Sequence, residues 1–145
     1  LSPDGERAIS SPHIREDLVE WMRGQPYRLE TEVDGKRVLM VHGSPWGNWK
    51  DYHYPHEPVW SRAATLDCDT LIVGHTHYKM AQRFGSTLVI NPGSAGDPRD
   101  HRNNFQLSCA VWETATDEVT FYDFPDPTRN FVSHSGQLSK PARKG

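Results

Sequence analysis

The sequence predicts an α/β fold, and three observations carry the prediction. Three short apolar runs, Val38 to Val41, Leu71 to Val73 and Leu88 to Ile90, each end abruptly at a glycine-containing polar turn. Upstream of them, Pro12 to Arg23 places Ile14, Leu18, Trp21 and Met22 at the spacing of one helical face. Around the runs lie alternating apolar and polar segments joined by turn dipeptides, the pattern of strands.

Taken in order, the helix over Pro12 to Arg23 has Ser11 as its cap and Pro12 at its first position, and Gly24 and Pro26 stop it. Tyr27 to Val33 alternates as a strand with one face in water, and Asp34-Gly35 is a two-residue hairpin signal. Arg37 to Val41 then reads as a strand buried on both faces. Trp46 to Pro58, rich in aromatics, Pro and His without a period, reads as a long loop, and Glu57 to Leu66 regains helical spacing. Thr70 to Val73 is a further buried strand. Met80 to Phe84 and Thr87 to Ile90 form a hairpin about Gly85-Ser86, and Phe105 to Glu113 and Glu118 to Phe124 form another about Thr114 to Asp117. Residues 1–130 form one domain on this reading, and 131–145, dominated by Pro, Ser, Gly and Lys, form a flexible tail.

The bulk composition narrows the function classes. With 145 residues, 35% hydrophobic and 24% charged, the chain has the balance of a single soluble domain. It holds no apolar run of about 18 residues, which excludes a membrane-spanning helix, and no stretch reads as a signal peptide. A formal net charge of −3 supplies no general basic field, so nucleic acid is expected only as a substrate. Cys68 and Cys109 both sit in apolar stretches and are expected to pack in the core of a cytoplasmic protein.

The chemistry is concentrated where the three apolar runs stop. The turns are His42-Gly43-Ser44-Pro45, Gly74-His75-Thr76-His77 and Asn91-Pro92-Gly93-Ser94. In α/β sheets ligands bind beyond the carboxyl ends of strands, so the three turns are expected to converge on one crevice. His75 and His77, two residues apart, would point their rings the same way in extended backbone. Neutral imidazoles suit zinc, iron, manganese or nickel better than calcium or magnesium. His42, His75 and His77 are therefore the candidate metal ligands, with Gly43, Ser44, Asn48 and Thr76 as candidate substrate contacts. The aromatic loop after Pro45 reads as packed structure, Asp97 to Arg102 as a solvated charged turn, and His13, His56 and His134 as surface residues.

In their order and spacing, Val41-His42-Gly43-Ser44-Pro45, Gly74-His75-Thr76-His77 and Asn91-Pro92-Gly93-Ser94 resemble the last metal-binding motifs of calcineurin-like metallophosphoesterases, with the Asn-Pro-Gly-Ser turn of the small prokaryotic branch. The resemblance runs from about Trp21 to about Phe124. It implies the C-terminal half of a four-layer α/β sandwich with a mixed β-sheet. It also implies two divalent metal ions (Mn, Fe, Zn or Ni), with His42 and His75 on one and His77 on the other. Family members hydrolyse phosphomonoesters or phosphodiesters, the metals neutralising charge on the phosphoryl oxygens, so a phosphoester small molecule or nucleotide is the expected substrate. The family's earlier motifs, Asp-x-His, Gly-Asp-x-x-Asp and Gly-Asn-His-Asp, are absent, and Leu1 to Ser11 reads as a loop rather than the apolar first strand with which an α/β domain normally begins. An upstream half carrying the bridging carboxylate is therefore expected, and without it exposed strand edges would favour a homodimer. Two alternatives follow from the missing motifs: a catalytically silent binding or regulatory module, and a mononuclear zinc hydrolase.

Overall fold

The structure is a computed structural model that describes residues 15–47 and 51–127. The expected cap at Ser11 and Pro12, the candidate contact Asn48 and the expected tail lie outside the described residues.

Helix α1, Glu16–Arg23, is short and carries its charges in the sense of its dipole, with Glu16 and Asp17 in the first turn and Arg23 in the last. Its cap Arg15 makes no side-chain capping bond, and the helix ends at Gly24. Strand β1 (Arg28–Val33) turns through Asp34 and Gly35 into β2 (Lys36–Val41). The φ angles of 50° and 76° at that turn are the left-handed pair a two-residue hairpin requires, which is why Asp-Gly stands there. A 3₁₀ helix (Pro58–Thr65) takes the place of the expected α-helical segment. It leads into β3 (Thr70–Ile72), followed by the hairpin β4 (Met80–Phe84) and β5 (Thr87–Asn91). A single 3₁₀ turn, His101–Asn103, precedes the second hairpin, β6 (Leu107–Glu113) and β7 (Glu118–Phe124).

Five strands form one mixed sheet in the order β1-β2-β3-β5-β4, in which β2, β3 and β5 are parallel neighbours and the two flanking strands antiparallel. Paired positions share a face, so register shows what each face buries. Leu39, Leu71 and Val89 form one row and pack with Val41, Val73 and Met80 against Trp60 and Ala63 of the 3₁₀ helix. Trp60 is fully buried and donates its indole N–H to the carbonyl of Tyr54 at 2.9 Å, so the aromatic loop before the 3₁₀ helix is pinned to the core.

The opposite face is closed at one side only. Leu29, Met40, Ile72 and Ile90 form its row, and exposure falls from 44% and 40% at Leu29 and Met40 to 3% at Ile90. The alternation of β1 is present, yet all six of its residues are exposed. The helix behaves likewise: Val19 is buried, whereas Leu18, Trp21 and Met22, expected to face the core, are outward, Trp21 at 63%. Periodicity marked these positions as apolar, but the structure leaves them outward and buries Val19 instead; among the described residues nothing covers them at this side.

The β6–β7 hairpin forms a separate two-stranded sheet held by ion pairs. Asp117 meets Lys36 at 2.5 Å and Arg83 at 2.7 Å, and Asp123 meets Lys79 at 2.5 Å. Cys68 lies in the core as expected, but Cys109 is exposed, because a two-stranded sheet keeps one face in water.

The asymmetry of burial predicts asymmetric mutational costs. Leu71→Ala empties a fully buried position and should cost about 2–5 kcal/mol in denaturant unfolding. Met40→Ala, on the open face, should cost under about 1 kcal/mol in this chain. Equal costs would mean that the face is covered.

Candidate functional site

Because β2, β3 and β5 are parallel neighbours, the three glycine-containing turns leave the sheet at one rim. Main-chain bonds continue the ladder past the strand ends: the Val73 N–H donates to the Ile90 carbonyl and the Gly74 N–H to the His42 carbonyl, both at 2.9 Å. This brings the imidazoles of two turns together. His42 Nε2 and His75 Nδ1 are 3.0 Å apart, with the rings edge to face at 4.8 Å between centroids. The Tyr52 ring lies on His75 with centroids 3.9 Å apart.

His77 is placed differently. Its Nδ1 donates to the Asp97 carbonyl at 2.6 Å, with the Asp97 carboxylate 3.5 Å away. That bond fixes the tautomer and leaves Nε2 as the lone-pair nitrogen. The His42 imidazole is held below its ordinary range first by burial and then by repulsion from the His77 ring whenever that ring is protonated. A depressed value keeps His42 neutral at neutral pH, the form that ligates metal.

The backbone of the His75 turn corrects the extended reading. His75 and His77 have φ of 64° and 62°, the left-handed region that costs a non-glycine residue about 1 kcal/mol. The third turn supports this strain. Asn91, almost fully buried, donates from Nδ2 to the Gly74 carbonyl at 3.0 Å and to Thr76 Oγ1 at 3.1 Å, while its Oδ1 accepts from the Gly93 N–H at 3.0 Å. Gly93 has φ of 84°, and a Cβ there would fall 1.9 Å from Ser108 Oγ, so only glycine fits. In the sequence Asn91 stood out only as the first residue of the Asn-Pro-Gly-Ser turn, with no role of its own.

Of the candidate substrate contacts, Gly43, Ser44 and Thr76 are buried. Ser44 Oγ accepts from the Trp46 N–H at 3.2 Å, and its carbonyl accepts from the Tyr27 hydroxyl at 2.9 Å. Among the described residues of the aromatic loop, His53 packs between Trp46 and Trp60, as expected, and meets Glu57 at 3.2 Å. The turn from Asp97 to Arg102 departs from the solvated reading. Asp100 is buried, accepting from the Lys79 N–H at 3.1 Å and from Arg102 at 2.6 Å. Burial alone would raise its carboxyl, but these bonds outweigh it and hold the group below the usual carboxylate range.

The donor chemistry of the rim suits a transition metal at one position. Two imidazole nitrogens about 2.0–2.1 Å from one tetrahedral ion stand roughly 3.3 Å apart, close to the 3.0 Å between His42 and His75. Among the described residues, no group of three or more His, Cys, Asp or Glu side chains converges as a metal site.

A sequence model described as the calcineurin-like phosphoesterase superfamily domain matches residues 13–117. The chain is 33% identical over 73 residues to a protein of Mycoplasma pneumoniae named "Probable metallophosphoesterase", covering 49% of this chain and 44% of that protein. It is 30% identical over 107 residues to one of the same name from Methanothermobacter thermautotrophicus, covering 63% and 58%. The chain thus spans about half the length of these relatives. Among solved structures, the metallophosphoesterase of Sphaerobacter thermophilus shares the fold at a TM-score of 0.62 and 23% identity, over 86% of this chain and 59% of that one. A hypothetical protein of Pyrococcus horikoshii does so at 0.63 and 22%, over 75% and 44%.

Two substitutions test how the site is supported. Asn91→Ala removes the partners of Gly74 and Gly93 and should cost about 2–4 kcal/mol, with the His75 and His77 ring resonances moving in NMR spectra; unmoved rings would refute the clamp. Asp100→Asn should cost about 3 kcal/mol at neutral pH. Since the folded-state value of Asp100 is depressed, its contribution is present above the unfolded carboxylate value of about 3.9 and is lost as pH falls through the folded value. The stability gap between wild type and Asp100→Asn should therefore narrow below about pH 4.

Proposed function

The chain belongs to the calcineurin-like phosphoesterase superfamily, and from that premise we propose that it carries the histidine half of a metal-dependent centre hydrolysing a phosphodiester or phosphomonoester. The observation that carries the reading is the approach of His42 Nε2 to His75 Nδ1, 3.0 Å apart although the residues come from two different strand ends. On this reading His42 and His75 would hold one divalent ion, and His77, oriented by its bond to the Asp97 carbonyl, would hold a second. Manganese, iron, zinc or nickel are the candidates, since the donors are imidazole nitrogens.

Bound divalent ions would supply Lewis-acid charge for the phosphoryl oxygens. The chain's own part is positional and electrostatic. Neutral imidazoles place no negative charge beside an anionic substrate, and the Asn91 clamp keeps the His75 turn in its strained backbone. The Ser44 and Thr76 hydroxyls are buried inside the turns, so a substrate contact from Gly43, Ser44 or Thr76 falls to main chain.

Carboxylates that balance two dications are assigned to polypeptide upstream of Leu1. Two observations support this. The relatives are about twice as long as the matched part, and the open apolar groove lined by Trp21, Tyr27, Leu29, Met40 and Ile72 runs directly to His42 and Gly74. A catalytically silent binding module is the second reading, favoured by the lack of a three-donor cluster among the described residues.

Metal analysis and turnover separate the two. The protein with its upstream polypeptide should bind about two ions per chain and hydrolyse bis-p-nitrophenyl phosphate with added manganese. His75→Ala should reduce that turnover to below about 1%. Full turnover in this variant would remove His75 from the centre, and absence of both metal and turnover in wild type would favour the binding module.

A further inference from the structure

A second cavity, of about 660 Å³, is lined by Tyr54, Pro55, His56, Tyr78, His101 and Arg102. Its size falls in the range of small-molecule sites. Its walls are aromatic: the Tyr54 and Tyr78 rings stand at 90° with centroids 5.0 Å apart, and His56 stacks on Tyr54 at 6.3 Å. Its rim is polar and cationic. The Arg102 guanidinium lies 5.3 Å from the Tyr78 ring centre, and His101 Nδ1 is 3.1 Å from the Tyr78 hydroxyl.

The cavity's lining residues are anchored by hydrogen bonds. The Tyr54 carbonyl is bonded to buried Trp60, its N–H to Glu57 at 2.9 Å, and Arg102 is oriented by buried Asp100. The three segments that form it are continuous with the contacts around His75 and His77. Tyr78 follows His77, Tyr54 lies two residues after the Tyr52 that stacks on His75, and His101 follows the Asp97 whose carbonyl fixes His77. The aromatic corner and the imidazole turn thus share the His77-Tyr78 step of the chain.

We propose that this cavity is the subsite for a heteroaromatic ring of the substrate, so that the chain selects nucleotide-type phosphoesters over esters of aliphatic alcohols or sugars. Two perpendicular tyrosine faces offer stacking and edge contacts together, and the surrounding imidazoles, hydroxyls and guanidinium meet the polar edge of a base. The proposal rests on the phosphoesterase reading for the place of the phosphate. It adds the identity of the group beyond it.

Direct binding tests it without turnover. Adenosine 5′-monophosphate and ribose 5-phosphate are titrated by calorimetry into the manganese-loaded protein with its upstream polypeptide, with saturation-transfer NMR on the adenine protons. The nucleotide should bind about ten-fold or more tightly than the sugar phosphate, and Tyr54→Leu and Tyr78→Leu should each erase most of that preference while leaving ribose 5-phosphate binding unchanged. Tyr54→Leu keeps the main-chain bond to Trp60, which guards against loss of fold. Equal binding of the two ligands, or a preference that survives both substitutions, overturns the subsite. A protein that hydrolyses bis-p-nitrophenyl phosphate without this preference refutes the subsite alone. One that binds the nucleotide through the tyrosines yet cleaves no phosphoester refutes the phosphoesterase reading alone.

Discussion

Parallel pairing of β2, β3 and β5 is the constraint from which the candidate site follows. The strands are neighbours running in one direction, so whatever chemistry each carries just past its last ladder bond is delivered to the same edge of the sheet. The bonds from Val73 to Ile90 and from Gly74 to His42 extend the register into the turns themselves. A slip of one residue in β3 would turn Leu71 out of the core, so burial of that side chain fixes where His75 stands.

That delivery is supported from beneath by polar groups that water cannot reach. Asn91 spends both its donors and its acceptor on the turns around it, holding two left-handed histidines and a buried threonine in place. Left-handed backbone at non-glycine positions persists only where the surroundings over-determine it, and the core beneath β5 provides such surroundings. Asp100 acts similarly on the next segment, tying Lys79 and Arg102 together next to the aromatic cavity.

The sheet is finished on one side and open on the other. Burial increases along a single cross-strand row from Leu29 to Ile90, and the helix turns Trp21 and Met22 outward beside the uncovered end. Contiguous apolar surface of this kind marks a place of contact, and here it adjoins His42 directly. Structural completion and chemical completion thus concern the same edge of the molecule.

Strand and hairpin positions were legible in the sequence because period-two alternation, Asp34-Gly35 and Gly85-Ser86 are local signals that tertiary contacts did not override. So were the three terminal turns, which share composition as well as position. Other features depended on residues far apart in the chain. That His42 meets His75 while His77 pairs with the Asp97 carbonyl, that Asn91 is a clamp, that Asp100 is buried and that Tyr54 and Tyr78 form a corner all arise from contacts across 15 to 33 residues. The sequence by itself determined which residues could do chemistry and on which strand ends they sit, because those are matters of residue type and local period. Only the tertiary structure decided which of them face one another and which apolar faces stay open, because burial and convergence are set by packing between segments that carry no mark of each other in the chain.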